Sequence, residues 1–117
     1  MYDNTNIFAK ILRKEIPCQA VAETPHALAF RDISPKAKHH ILVIPKGAYE
    51  DFADFIARAT EEEIVGFYRT ARQVLADLQP ELGYRLISNS GQRGGQEVPH
   101  YHLHILAGQN LGAMVSL

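Results

Sequence analysis

The chain has 117 residues, enough for one domain with an ordinary core and too few for two. Hydrophobic residues make up 46% and charged residues 21%, which excludes a disordered or fibrous chain, and 12 Lys and Arg against 13 Asp and Glu leave a net charge of −1. That balance lacks the basic footprint of a nucleic-acid or membrane-surface binder and points to a small-molecule partner. The longest apolar run, Ile41 to Ile44, is far below the roughly 20 residues that span a bilayer. MYDNTNIF at the start is polar, without a signal pattern, and the lone Cys18 can form neither an internal disulfide nor a paired-cysteine zinc site. A cytoplasmic protein is expected.

Asn4 or Thr5 can cap a short first helix whose Ile7, Phe8, Ile11 and Leu12 share one face; it is expected to stop at Ile16, before Pro17. Ala20 to Glu23 and Ala27 to Arg31 read as a hairpin around Thr24-Pro25-His26, followed by the loop Asp32-Ile33-Ser34-Pro35. His39 to Ile44, closed by Pro45, has the continuous apolar, β-branched character of a strand buried on both faces. One or two helical turns are expected over residues 49 to 57. Thr60-Glu61-Glu62-Glu63 is a capping box, and Ile64, Phe67, Tyr68, Ala71, Val74, Leu75 and Leu78 recur behind it at helical spacing until Pro80. Tyr84 to Ser88 reads as a strand, 89 to 98 as a glycine-containing loop, and Pro99 to Ala107 as the last strand. The pattern predicts an α+β fold with a mainly antiparallel five-stranded sheet, one long helix and one short one.

The sequence PHYHLHIL, residues 99 to 106, places three of the six histidines at alternate positions. In extended chain His100, His102 and His104 share one face, about 7 Å apart, while Tyr101, Leu103 and Ile105 share the other and face the core. Three readings follow. The row is a solvated strand face; or it is a metal site, in which Glu97 adds a fourth ligand; or it is a nucleophilic centre in which one imidazole attacks while its neighbours hold an anion and move protons. Crowded imidazoles disfavour a second positive charge, so a neutral nucleophile can stand beside a protonated neighbour at pH 7. That suits phosphoryl or nucleotidyl transfer and requires no metal and no cofactor. The preceding loop, Ser90 to Glu97, contains the pair Gly94-Gly95, which either cradles an anion with its amides, helped by Gln96, or makes a plain turn. Asp32 either caps its own turn or accepts from sugar hydroxyls.

The stretch His100-Tyr101-His102-Leu103-His104-Ile105-Leu106 resembles the signature of the histidine triad (HIT) superfamily, with tyrosine in the first apolar place. The blocks IFAKILRKEIP, FRDISPKAKHHILVIPK, GYRLISNSG and GGQEV are similar to those of its nucleotide-binding, Hint-like phosphoramidase branch, so the likeness covers residues 7 to 108. The resemblance implies a single HIT domain over residues 1 to 117, with a short tail from 109, and a homodimer that joins two five-stranded sheets into one of ten strands. It implies hydrolysis of purine nucleoside 5′-phosphoramidates and related adenylates, with dinucleoside polyphosphate hydrolysis or nucleotide binding with vestigial activity as the alternatives. By the same carry-over His102 attacks the α-phosphorus, His104 and His40 contact the phosphate and the leaving group, and His100 orients the others through backbone contacts. Asp32 would hold the ribose. Ile7, Phe8, Ile11, Phe30, Ile33 and Leu42 would wall the base pocket, and Asn89, Gly95, Gln96 and Val98 would line the phosphate side. Glu97 stands where some members place a serine that contacts the leaving group, and His39 is expected to be a surface histidine.

Overall fold

A computed structural model describes residues 1–116. The first helix, α1 (Ile7–Leu12), is capped by Asn6, whose side chain accepts from the Ala9 amide at 2.9 Å. Neither Asn4 nor Thr5 does this; the Thr5 hydroxyl donates instead to the Asp3 carboxylate. The helix also ends four residues earlier than the proline rule predicts. Arg13, Lys14 and Glu15 offer no apolar surface to bury, and Lys14 takes a left-handed φ of 63° that turns the chain away.

The hairpin β1 (Ala20–Glu23) and β2 (Ala27–Arg31) has the expected bounds. Its turn is closed by the Thr24 hydroxyl, which accepts from the amides of His26 and Ala27 and bonds Thr70 of the long helix at 2.8 Å. Strand β3 (His39–Pro45) follows, then α2 (Phe52–Arg58), capped by Asp51, and α3 (Glu61–Leu78), whose Thr60–Glu63 capping box is complete. There are thus three helices among the described residues, one more than the long and short pair expected, because residues 52 to 58 form a capped helix of their own. Gly66 sits inside α3 for a packing reason: a Cβ there would lie 2.3 Å from the His26 ring.

Strand β4 (Tyr84–Ile87) and strand β5 (Leu103–Ala107) complete a sheet in the order β1-β2-β3-β5-β4, with every neighbouring pair antiparallel. The α+β class and the five-stranded antiparallel sheet are as predicted. β5 begins at Leu103, however, and not at Pro99. Proline has no amide to donate, and the Tyr101 amide is taken by the Tyr49 carbonyl at 2.7 Å, so residues 99 to 102 run outside the ladder.

The sheet carries a different cover on each face. On one, α2 and α3 pack Phe55, Phe67, Ala71 and Val74 against Ile41, Val43, Tyr101, Leu103 and Ile105. On the other, Phe8 and Ile11 of α1 pack against Leu28, Phe30, Leu42 and Ile44. β3 supplies both clusters, which is why its run of apolar residues is unbroken. The short α1 spans only the β2 and β3 side of its face, and beside it lie the histidines. No helix among the described residues is long and apolar enough to cross a membrane.

Candidate active site

Tyr101 fixes which way the histidines point. Its ring stacks on Phe55 at 5.2 Å and its hydroxyl bonds Tyr68 at 2.7 Å inside the α3-side core, so alternation sends His100 and His102 to the α1 side. His100 is 1% and His102 5% exposed, and His104 is half-buried. The row is therefore no solvated face. Its rings are also closer than an ideal strand would hold them: the His102 and His104 centroids are 5.0 Å apart, and His40 of β3 comes within 5.2 Å of His104 as a diagonal neighbour. Phe8 seals the other side, edge-on to His102 at 4.9 Å.

Backbone partners dictate where the protons sit, because an amide only donates and a carbonyl only accepts. The Lys36 amide donates to His40 Nδ1 at 3.0 Å, so the proton of neutral His40 is on Nε2. His40 Nε2 lies 2.9 Å from His104 Nδ1 and 3.5 Å from Asp32 Oδ2, so His104 accepts at Nδ1 and carries its own proton on Nε2. His102 Nδ1 donates to the His100 carbonyl at 2.7 Å, which leaves a bare lone pair on His102 Nε2. The arrangement thus sets one unprotonated nitrogen beside one N–H donor.

Burial lowers the proton affinity of all four rings. It pushes His100 down to about 4 and His104 down to about 4, the latter with added repulsion from His102 and His40. His102 and His40 move the same way for the same first reason, with Asp32 pulling each partly back. Burial thus favours the neutral form of all four rings in the unliganded protein, where the spacing pointed to a mix of neutral and charged ones. Positive charge enters this row only with an anion to offset it.

A metal fits the hydrogen bonding poorly. Asp32, His40 and His104 bring one ligand atom each within 4.8 Å of one another, but the Lys36 amide obliges His40 Nε2 to keep its proton. In the quartet of His100, His102, His104 and Glu97, both ring nitrogens of His100 are taken, by the Tyr2 hydroxyl at 2.6 Å and the Pro45 carbonyl at 2.9 Å.

Of the remaining expected site residues, Phe8, Ile11, Phe30 and Leu42 are buried together, whereas Ile7 is 41% and Ile33 93% exposed. Asp32 divides its carboxylate: Oδ1 accepts from the Ser34 amide at 2.7 Å, the local turn, and Oδ2 faces His40. Gln96 braces its loop, accepting from the Gly91 amide at 3.0 Å and donating to the carbonyls of Glu50 and Val98. The glycine pair first serves the turn itself. A Cβ on Gly94 would meet the Ser90 oxygen at 2.2 Å, and Gly95 has a φ of 80°. Asn89 is half-buried just past β4, Val98 packs against the Phe8 cluster, and Glu97 is exposed. His39, on the opposite face of β3, is half-buried rather than on the surface.

Sequence reasoning missed the groups that set the protons. Two are backbone atoms, the Lys36 amide and the Pro45 carbonyl, which no side-chain pattern encodes. A third is Tyr2. It also could not place the tail, which Arg85 holds by donating to the carbonyls of Leu111, Gly112 and Ala113.

An antiparallel sheet that buries a cluster of neutral imidazoles around a bare Nε2 belongs to the class of proteins built on a histidine triad. The HIT domain family model matches residues 13–111, and the chain belongs to that family. Relatives agree along its length. A 13.2 kDa HIT-like protein of Azospirillum brasilense, itself uncharacterized, is 57% identical over 116 residues, 98% of this chain and 95% of that one. The purine nucleoside phosphoramidase of Escherichia coli K12 is 43% identical over 112 residues, 94% of this chain and 92% of that one. Among solved structures, a histidine triad protein from Clostridium difficile superposes with a TM-score of 0.86 at 37% identity, covering 98% of this chain and all of that one.

Proposed function

We propose that the protein hydrolyses purine nucleoside 5′-phosphoramidates and related adenylates to the nucleoside monophosphate, through a nucleotidyl-histidine intermediate. The observation that carries this reading is the bare Nε2 of His102 beside the Nε2–H of His104. His102 Nε2 attacks the α-phosphorus, the P–N bond breaks, and water then cleaves the P–N bond to His102 and releases the monophosphate. His104 Nε2–H donates to a phosphoryl oxygen. The anionic substrate raises the proton affinity of the row, so one proton arrives with it and passes, through His104 and His40, to the leaving nitrogen.

Asp32 Oδ2, free of its turn, accepts from the ribose hydroxyls. The exposed edges of Ile7 and Ile33 hold the base against Phe8, Ile11, Phe30 and Leu42, while Asn89 and the loop from Gly95 to Val98 border the phosphate. β4 is an edge strand whose Tyr84 and Leu86 are 52% and 45% exposed, and it is where two copies would join their sheets into a homodimer.

The test is AMP release from adenosine 5′-monophosphoramidate by wild type and by His102→Ala, with and without a chelator. Chelator-resistant release that the substitution lowers about ten-thousandfold supports the reading. Turnover of diadenosine polyphosphates in preference to the phosphoramidate would replace it with a polyphosphate hydrolase, and release that chelation abolishes would overturn the metal-free mechanism.

A further inference from the structure

The first histidine of the row is held on one side by Tyr2, which lies, with the Asn6 that places it, outside the stretch matched by the family model, residues 13–111. Its imidazole is clamped from both ends. Pro45 offers a carbonyl to Nε2 at 2.9 Å, and since a carbonyl only accepts, Nε2 carries the proton and Nδ1 is a lone pair. The Tyr2 hydroxyl, 2.6 Å from Nδ1, must then be the donor. Tyr2 is itself placed by Asn6, whose Nδ2 donates to the phenolic oxygen at 2.9 Å and to the Asp3 carbonyl at 2.8 Å while its Oδ1 caps α1. The phenol also meets His100 edge-on, 5.6 Å between ring centres.

We infer that Tyr2 is a positioning residue for the nucleophile: its hydroxyl fixes His100 in the Nε2–H form, which locks the His100 peptide so that its carbonyl takes the His102 Nδ1 proton and leaves His102 Nε2 bare. The chain of donors runs one way, from the Asn6 amide to Tyr2, from Tyr2 to His100 Nδ1, and from His100 Nε2 to Pro45. Were the His100 proton on Nδ1 instead, a ring lone pair would face the Pro45 carbonyl in a site that water does not reach, and the ring would turn away. The peptide carbonyl belongs to the same residue, so its direction depends on that ring staying put. His100 thereby needs no contact with substrate to matter.

For its kinetic part this inference rests on the proposed hydrolysis; its spectroscopic part does not. Long-range 1H–15N correlation spectra of the wild-type protein at pH 7 are expected to show His100 protonated at Nε2 only and His102 protonated at Nδ1 only. Tyr2→Phe keeps the ring and removes the donor. With adenosine 5′-monophosphoramidate it is expected to lower kcat about tenfold while KM stays within about twofold, and to reduce the Nδ1–H fraction of His102. A wild-type His100 protonated at Nδ1 overturns the inference without any variant. So does a Tyr2→Phe protein whose tautomers match wild type, even if its melting temperature falls, since that is the signature of a structural role. If wild type releases no AMP, the functional reading fails and the tautomer comparison alone decides for or against Tyr2.

Discussion

Residues 100 to 105 present two buried faces, and different physics holds each. Tyr101, Leu103 and Ile105 are fixed by volume, packed among Phe55, Phe67 and Val74, where neighbours of similar size can take up small changes. His100, His102 and His104 are fixed by direction, ring nitrogen by ring nitrogen, against a phenol, two carbonyls and a neighbouring imidazole. The comparison teaches that one extended segment can divide stability from chemistry. The apolar face stabilises the fold by burial, and the polar face is an arrangement of protons that folding makes possible.

Substitutions can break that division in order of size. His102→Ala should abolish phosphoramidate turnover, about ten-thousandfold, while circular dichroism still reports the native fold, because it removes the bare Nε2 and leaves the opposite face intact. Phe67→Ala should do the reverse. It empties a fully buried position under Tyr101 and should lower unfolding free energy by about 3–5 kcal/mol in urea titrations, with kcat of the folded protein unchanged within about threefold.

Acid should sharpen the contrast. His100 and His104 are held near 4 when folded and return to about 6.5 when unfolded, so below pH 6.5 the unfolded chain binds more protons. Their contribution is complete above about pH 6.5 and is lost as the pH falls toward 4. Urea midpoints should therefore drop between pH 7 and pH 5, and His104→Gln should flatten that slope. The smallest effect is expected far from both faces, at the capping box, where Thr60→Ala should cost about 1 kcal/mol of stability and leave kcat unchanged.

Much of the fold was legible in the chain. The hairpin, β3, the capped α3 and the alternation of the histidines all follow from local periodicity and capping chemistry, and each stands where the sequence places it. The errors fall where a distant group intervened. Asn6 outcompetes Asn4 and Thr5 for the α1 cap because it alone also reaches Tyr2. Pro99 to His102 leave the ladder because Tyr49 takes the Tyr101 amide.

The sequence alone determined which residues lie on which face, since a strand alternates with period two whatever surrounds it, and that is enough to gather three imidazoles and to match them to a family. It could not determine which nitrogen of each ring bears the proton. That depends on the Lys36 amide, the Pro45 carbonyl, the His100 carbonyl and the Tyr2 hydroxyl, groups brought in from four parts of the chain. Amides and carbonyls are the same in every residue, so no spacing of side chains announces them. Only the folded backbone decides which of them meets an imidazole, and hence which nitrogen is left bare.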